Sequence, residues 1–201
     1  MLVTPLNRSQ WQRLYQEAMV RDFPASELKS VSMIQQLEER GWYTCLGFFR
    51  EEAPKTLCGY ALLIQTGPQA VLLDYFAVSP ALRGGGIGGE LLGLLRQWAQ
   101  QRAPLFLAEV EDPDFAADQD DLSIRNRRIG FYQRDGFTLT GVKSQVLQDH
   151  YCIIAAGRPQ GEEVYREMTK LYFDMAGADF FRRHITVFSP NPQNSLETDL
   201  N

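Results

Sequence analysis

LLDYFAVSPALRGGGIGGELL, residues 72–92, is the stretch on which the reading of this chain turns. Its apolar first part ends at Val78 and reads as a strand. A short turn follows with Pro80 and Arg83, then five glycines around Ile87, and then a leucine-rich helical pattern begins at once. Glycines at the mouth of a helix leave backbone N–H groups unshielded, and the helix N-terminus carries partial positive charge. Together they form a seat for a phosphate or pyrophosphate.

Three phosphate-binding patterns compete for these glycines. A triphosphate loop needs Lys-Ser or Lys-Thr after its last glycine, but Glu90 follows Gly89. The dinucleotide fingerprint G-x-G-x-x-G is met by Gly84, Gly86 and Gly89, with the acidic Glu109 20 positions on. Its context is wrong, because residues 79–83 separate the strand from the first glycine, where a dinucleotide fold turns almost immediately. Only one further strand–helix pair follows, too little for a doubly wound nucleotide domain. The third pattern is R-x-x-G-x-G, filled by Arg83, Gly86 and Gly88.

With its preceding strand and following helix, that third pattern resembles the coenzyme A signature of GNAT-family N-acetyltransferases. A second block, NRRIGFY at 126–132 followed by QRDGF at 133–137, is similar to the family's N-x-x-A-x-x-(F)Y…GF element. The two blocks stand in the family's order. The resemblance covers residues 2–156 and implies an α+β fold, with a mixed, mostly antiparallel central sheet flanked by helices. It implies acetyl-CoA as the cofactor.

The 201 residues suit one domain with an appendage, and 44% hydrophobic with 22% charged residues is ordinary for a globular protein. A net charge of −5 argues against general nucleic-acid affinity. Arg125, Arg127 and Arg128 form a basic knot that reads as solvated helix residues. No apolar run reaches the roughly 18–20 residues of a membrane span, and no secretory pattern opens the chain, so a cytoplasmic location is expected. Cys45, Cys58 and Cys152 are odd in number and embedded in strand-like segments, without metal-ligand spacing. They read as reduced core thiols rather than as nucleophiles paired with His150 or His184. No metal is expected.

Ser9 with Gln12 suggests a capping-box start for a first helix, broken at Phe23-Pro24. A second helix is expected over 30–40, stopping at Gly41. Residues 42–50 and 57–65 read as a β-hairpin around Pro54, and 70–78 as the next strand. A helix over 87–102 and a strand over 105–111 complete a right-handed crossover. A loop over 112–122 leads to a helix at 123–134, then strands at 138–147 and 150–156. The acetyltransferase domain is thus expected over 1–156 and a helical extension over 157–189, with a disordered tail over 190–201. Val164, Tyr165, Met168, Leu171, Tyr172 and Met175 make an apolar stripe on the extension's helix, 162–175. That stripe either packs on its own domain or forms a homodimer seam.

For the chemistry, the resemblance assigns pyrophosphate binding to Gly84, Gly85, Gly86, Ile87, Gly88 and Gly89, with Arg83 as the nearest side-chain cation. The family's usual Lys or Arg inside the loop is replaced by Gly84 and Gly85, so anchoring leans on backbone. Phe76, Ala77 and Val78 would line the pantetheine arm on a bulged strand, and a main-chain N–H near Phe76 or Val78 would hold the thioester oxygen. Asn126 belongs to the cofactor-flanking helix, and Tyr132 matches the general acid that protonates the departing thiolate. Ile129 stands where a small residue is usual.

For the base, Glu109 and Glu111 alternate on one strand and so share a face, while Asp74 interrupts an apolar strand and needs a reason to be there. Seven of the thirteen positions from Glu109 to Asp121 are acidic, which favours a cationic amine acceptor. The expected activity is direct transfer of acetyl from acetyl-CoA to an amine. The alternatives are an acyl-CoA-binding sensor of the same fold without turnover and, on the glycines alone, a nicotinamide-dependent oxidoreductase.

Overall fold

A computed structural model of the protein describes residues 1–191. The fold is mixed α/β, with mostly antiparallel sheet flanked by helices. It divides into two compact units, residues 1–65 with 72–95, and residues 66–71 with the chain from Arg96 onward.

In the first unit, β1 (Leu2–Pro5), β2 (Tyr43–Arg50), β3 (Ala53–Ile64) and β4 (Ala70–Val78) pair antiparallel in that order. The hairpin between β2 and β3 turns tightly at residues 51–52, so Pro54 lies inside β3 near its start rather than in a turn. Helix α1 (Arg8–Leu14) is capped by Asn7, not Ser9. Asn7 Oδ1 accepts from Gln10 N at 3.1 Å, while Gln10 Oε1 accepts from Asn7 N at 2.9 Å. Both residue pairs satisfy the capping pattern, and Ser9 instead donates to Asn7 Oδ1 at 2.8 Å. The helix continues through a π-turn, Tyr15–Met19, into α2 (Val20–Asp22), and Phe23 ends it. Helix α3 (Val31–Glu39) has Ser30 as its N-cap and buries Ile34 and Leu37.

Helix α4 (Ile87–Gln100) follows the glycine turn and buries Leu91, Leu92 and Leu95. Its seat depends on Gly59 of β3. A Cβ there would stand 2.5 Å from Leu91 Cδ1 and 2.7 Å from the Ala77 carbonyl oxygen. Only a residue without a side chain lets the first turn of α4 lie this close to the β3–β4 pair.

The second unit orders its strands β5 (Leu105–Glu111), β7 (Asp149–Ala156), β6 (Phe137–Val146) and β8 (Ile185–Phe188), all antiparallel. Helix α5 (Gln119–Arg134) follows the N-cap Asp118 and begins four residues before the expected 123. Helix α6 (Gly161–Ala176) buries Val164, Tyr165, Met168, Leu171 and Tyr172 within its own unit. Five of the six stripe residues, all but Met175, are thus buried in the single chain, which supports packing on its own domain, one of the two alternatives for the stripe.

Helix α7 (Ala178–His184) and β8 were not legible in the sequence. They return the chain to β6, and Pro190 then closes over Gly141 and Gly161, whose Cβ positions lie 3.1 and 2.8 Å from its ring. Of the expected tail, only Pro190 and Asn191 fall among the described residues. Among these residues no helix is long and apolar enough to cross a membrane.

Candidate active site

In the first unit the site is built on the end of β4. The register with β3 steps from Leu62↔Tyr75 to Leu63↔Leu73, so Asp74 is the extra residue of a β-bulge. Beyond the bulge, Ser79 N donates to Cys58 O at 2.9 Å. Because antiparallel ladders alternate, the main-chain polar groups of Phe76 and Val78 are turned away from β3. Ala77 lies between them with its side chain buried. The bulged strand required by the resemblance is therefore present, and Phe76 and Val78 direct their N–H groups away from their β3 neighbour.

Asp74 itself is engaged. Its side chain is only 6% exposed, Lys29 Nζ lies 2.6 Å from Oδ1, and Tyr43 donates its hydroxyl to Oδ2. Burial raises the Tyr43 phenol well above its ordinary pKa, and the Asp74 charge adds to this. Tyr75 donates to Glu27 O at 2.7 Å and accepts from Lys29 N at 2.8 Å. Asp74 and the Tyr75 hydroxyl together thus fix residues 27–29 to β4. The Asp74 oxygens hold an ammonium and a phenol, an arrangement that supports a structural role for this candidate base.

After Val78 the chain makes a 3-10 turn, Pro80–Leu82, and Arg83 folds back. Arg83 Nε donates to Val78 O at 3.0 Å and Nη2 to Asp22 Oδ1 at 2.9 Å. Its half-exposed guanidinium thus ties the turn to β4 and to Asp22. Gly84 and Gly86 adopt φ of +83° and +81°, the left-handed region. Nothing lies within 4 Å of a Cβ built at either residue. Gly89 N and Glu90 N turn inward to Gly86 O. The N–H groups of Gly86, Ile87 and Gly88 make no hydrogen bond among the described residues. The turn is an open backbone cradle at the N-terminus of a 14-residue helix.

In the second unit, Tyr132 of α5 is buried between Phe131 and Phe137, with ring centroids 5.2 and 5.4 Å away. Its hydroxyl makes no hydrogen bond among the described residues. Burial pushes its pKa up to about 12, opposed by Arg128. Ile129, one turn earlier, is buried, and Asn126 is exposed on the same helix. Glu109 and Glu111 sit on β5 opposite Ile153 and Tyr151. Tyr172 donates its hydroxyl to Glu109 Oε1, and Arg128 pairs with Glu111.

The acidic segment is largely accounted for locally. Lys143 Nζ lies 2.7 Å from both Asp112 and Asp114, Arg125 holds Asp121, and Asp118 caps α5. Cys45, Cys58 and Cys152 are free and buried, and burial pushes the Cys152 thiol up to about 11. A thiol that high in pKa supplies little thiolate at neutral pH.

The profile of the Acetyltransferase (GNAT) family matches residues 8–137. The chain belongs to the GNAT acetyltransferase family. Its fold is similar to that of a Bacteroides thetaiotaomicron protein assigned to the GNAT family (TM-score 0.69, 24% identity, 89% of this chain and 99% of that one). It is also similar to a spermidine N-acetyltransferase chimera from Vibrio cholerae and hSSAT (TM-score 0.55, 12% identity, 82% and 99%). A third similar structure is an aminoglycoside 6′-N-acetyltransferase complexed with coenzyme A (TM-score 0.52, 17% identity, 80% and 100%). A sequence search among curated proteins finds no match.

GNAT enzymes take their acyl group from acetyl-CoA, and the cradle of this GNAT chain fits that cofactor. Bare amides at a helix N-terminus suit a pyrophosphate, and the space above Gly84 and Gly86 is open. The residues that sequence reasoning missed are those that brace the site, namely Asp22, Lys29, Tyr43, Tyr60 and Tyr172. Each joins its partner across a long sequence separation, and no local pattern announces it.

Proposed function

We propose that this chain is an N-acetyltransferase in which a bound primary amine attacks the acetyl thioester directly, without an acyl-enzyme. The open glycine cradle at the N-terminus of α4 is the observation that carries this reading. In it, the amides of the Gly84–Gly89 turn hold the pyrophosphate, and a main-chain N–H of Phe76 or Val78 holds the thioester oxygen. Glu109 takes the proton from the amine, while Tyr132 gives its proton to the departing thiolate. A phenol kept protonated by burial suits a general acid. Glu109 is preferred over Glu111 because its hydrogen-bond donor, Tyr172, is neutral, whereas Glu111 is neutralised by Arg128.

The acceptor is proposed to be cationic. Asp118 and Asp120 have no ion-pair partner among the described residues and lie at the start of α5. Electrostatic focusing by such groups raises the local concentration of an ammonium. The similar spermidine and aminoglycoside acetyltransferases act on amines of this kind. Calorimetric titration with acetyl-CoA and with NAD, followed by thiol release against a panel of amines, amino acids and peptides, tests the whole reading. Binding of acetyl-CoA and turnover of a polyamine or aminoglycoside, weakening as salt rises, is the expected result. Preference for NAD, or acetyl-CoA binding without turnover of any amine, would reject it.

A further inference from the structure

Tyr172, which holds Glu109, and Ser144 behind it lie beyond the part of the chain matched by the family profile, which ends at 137. Tyr172 comes from α6 and donates to Glu109 Oε1, while Ser144 of β6 lies 2.9 Å from the Tyr172 hydroxyl oxygen. A phenol has one proton, and here it points at the carboxylate. Ser144 must therefore be the donor in the second bond, which makes Tyr172 a better donor in turn. Tyr172 is 2% exposed and Ser144 1%. A phenylalanine would fill the same buried volume, so packing alone does not call for this hydroxyl.

We infer that Tyr172, backed by Ser144, is a positioning residue that fixes Glu109 and keeps it ionised for its task as base. This rests on the reading of Glu109 given above. Hydrogen bonding to the charged form of a carboxylate lowers its pKa, and losing that bond raises it. Charged or titratable groups beside the pair include Tyr151 of β7, and Glu111 of β5 with its partner Arg128 of α5. All of these are retained in the variants below. Burial raises the Tyr172 phenol well above its ordinary pKa, and the Glu109 charge adds to this, so it stays a donor throughout the working range.

The test is Tyr172→Phe in the full chain, with 13C-glutamate labelling. The Glu109 resonance is assigned by its loss in Glu109→Gln. The Glu109 titration midpoint should rise by about 1–2 pH units, as expected for losing a hydrogen bond to a charged group. The acid limb of kcat/KM should move upward with it. Ser144→Ala should shift both in the same direction by less, and it serves as the test if Tyr172→Phe does not fold. An unmoved Glu109 midpoint in a folded variant overturns the inference. A moved midpoint with an unchanged rate profile upholds the pairing and overturns Glu109 as the base.

Discussion

Asp22 and Arg83, 61 residues apart in sequence, meet at 2.9 Å and tie the end of the first helical segment to the base of the glycine turn. The Asp22 side chain is 3% exposed and also accepts from Tyr60 at 2.9 Å and from Arg21 at 3.0 Å. Arg83 carries the link onward to the carbonyl of Val78, the last residue of β4. One carboxylate therefore connects α2, β3 and β4 just before the chain enters the cradle.

Asp22→Asn is expected to lower stability by about 1 kcal/mol at pH 7, a modest figure because its arginine partners are half exposed. Burial opposes ionisation of Asp22, but the bonds from Arg21, Tyr60 and Arg83 outweigh it and hold the carboxyl below its usual range. A depressed carboxyl pKa contributes stability that is full above the unfolded value, about 4, and is lost as pH falls through the folded value. Urea unfolding between pH 7 and pH 3 should show that acid loss in the native protein and a flatter profile in the variant. Acetyl-CoA affinity should weaken as well.

Gly86→Val should abolish measurable acetyl-CoA binding while the protein stays folded. The added side chain meets no neighbour, but φ of +81° is unfavourable for a β-branched residue, by about 1–3 kcal/mol. The turn would relax out of its anion-binding shape, and the isopropyl group would stand in the open space above it. Circular dichroism with calorimetry checks both halves. Unchanged affinity in a folded variant would place the cofactor elsewhere.

Tyr132→Phe keeps the ring between Phe131 and Phe137 and removes only the acid. Turnover should fall by ~10²–10⁴-fold with acetyl-CoA binding retained. In the native protein, Tyr132 should not titrate below about pH 10, since burial moves it upward from the usual tyrosine value. Any basic limb at lower pH then belongs to another group. Single-turnover rates across pH 6–10 measure both effects.

Asp74→Ala should be a stability variant. It leaves Lys29 and Tyr43 without their shared partner in a largely buried place, a loss of about 3–5 kcal/mol. Double replacement with Lys29→Met should recover part of it, because the uncompensated charge is then gone. Denaturation midpoints decide. A stable Asp74→Ala protein that has lost only turnover would return Asp74 to the chemistry.

What could be read in the sequence was what local pattern controls. Strands β4 and β5 begin and end where expected, because each is a largely apolar run with polar residues or proline at its ends. The start of α5 was misjudged because Asp118 and Ser123 are equally good N-caps, and an acid-rich stretch reads as a solvated loop. Strand β8 is only Ile185–Phe188, too short to stand out until β6 supplies its partner. In the site, glycines and Tyr132 sit in motifs and were visible. The pairings Asp74–Lys29, Asp22–Arg83 and Glu109–Tyr172 span 45, 61 and 63 residues and are decided by the fold alone.

The return of the chain to β6 has a consequence for how copies of this protein behave in a crowded solution. Strand β6 is ten residues long and β8, which covers it, only four. A short outermost strand offers few unpaired N–H and C=O groups to a neighbour, whereas a long bare one is a template for intermolecular pairing. Removing residues from 185 onward would uncover β6 and make self-association, seen as light scattering on concentration, the first symptom. On this view the last described strand of the chain is a guard against aggregation.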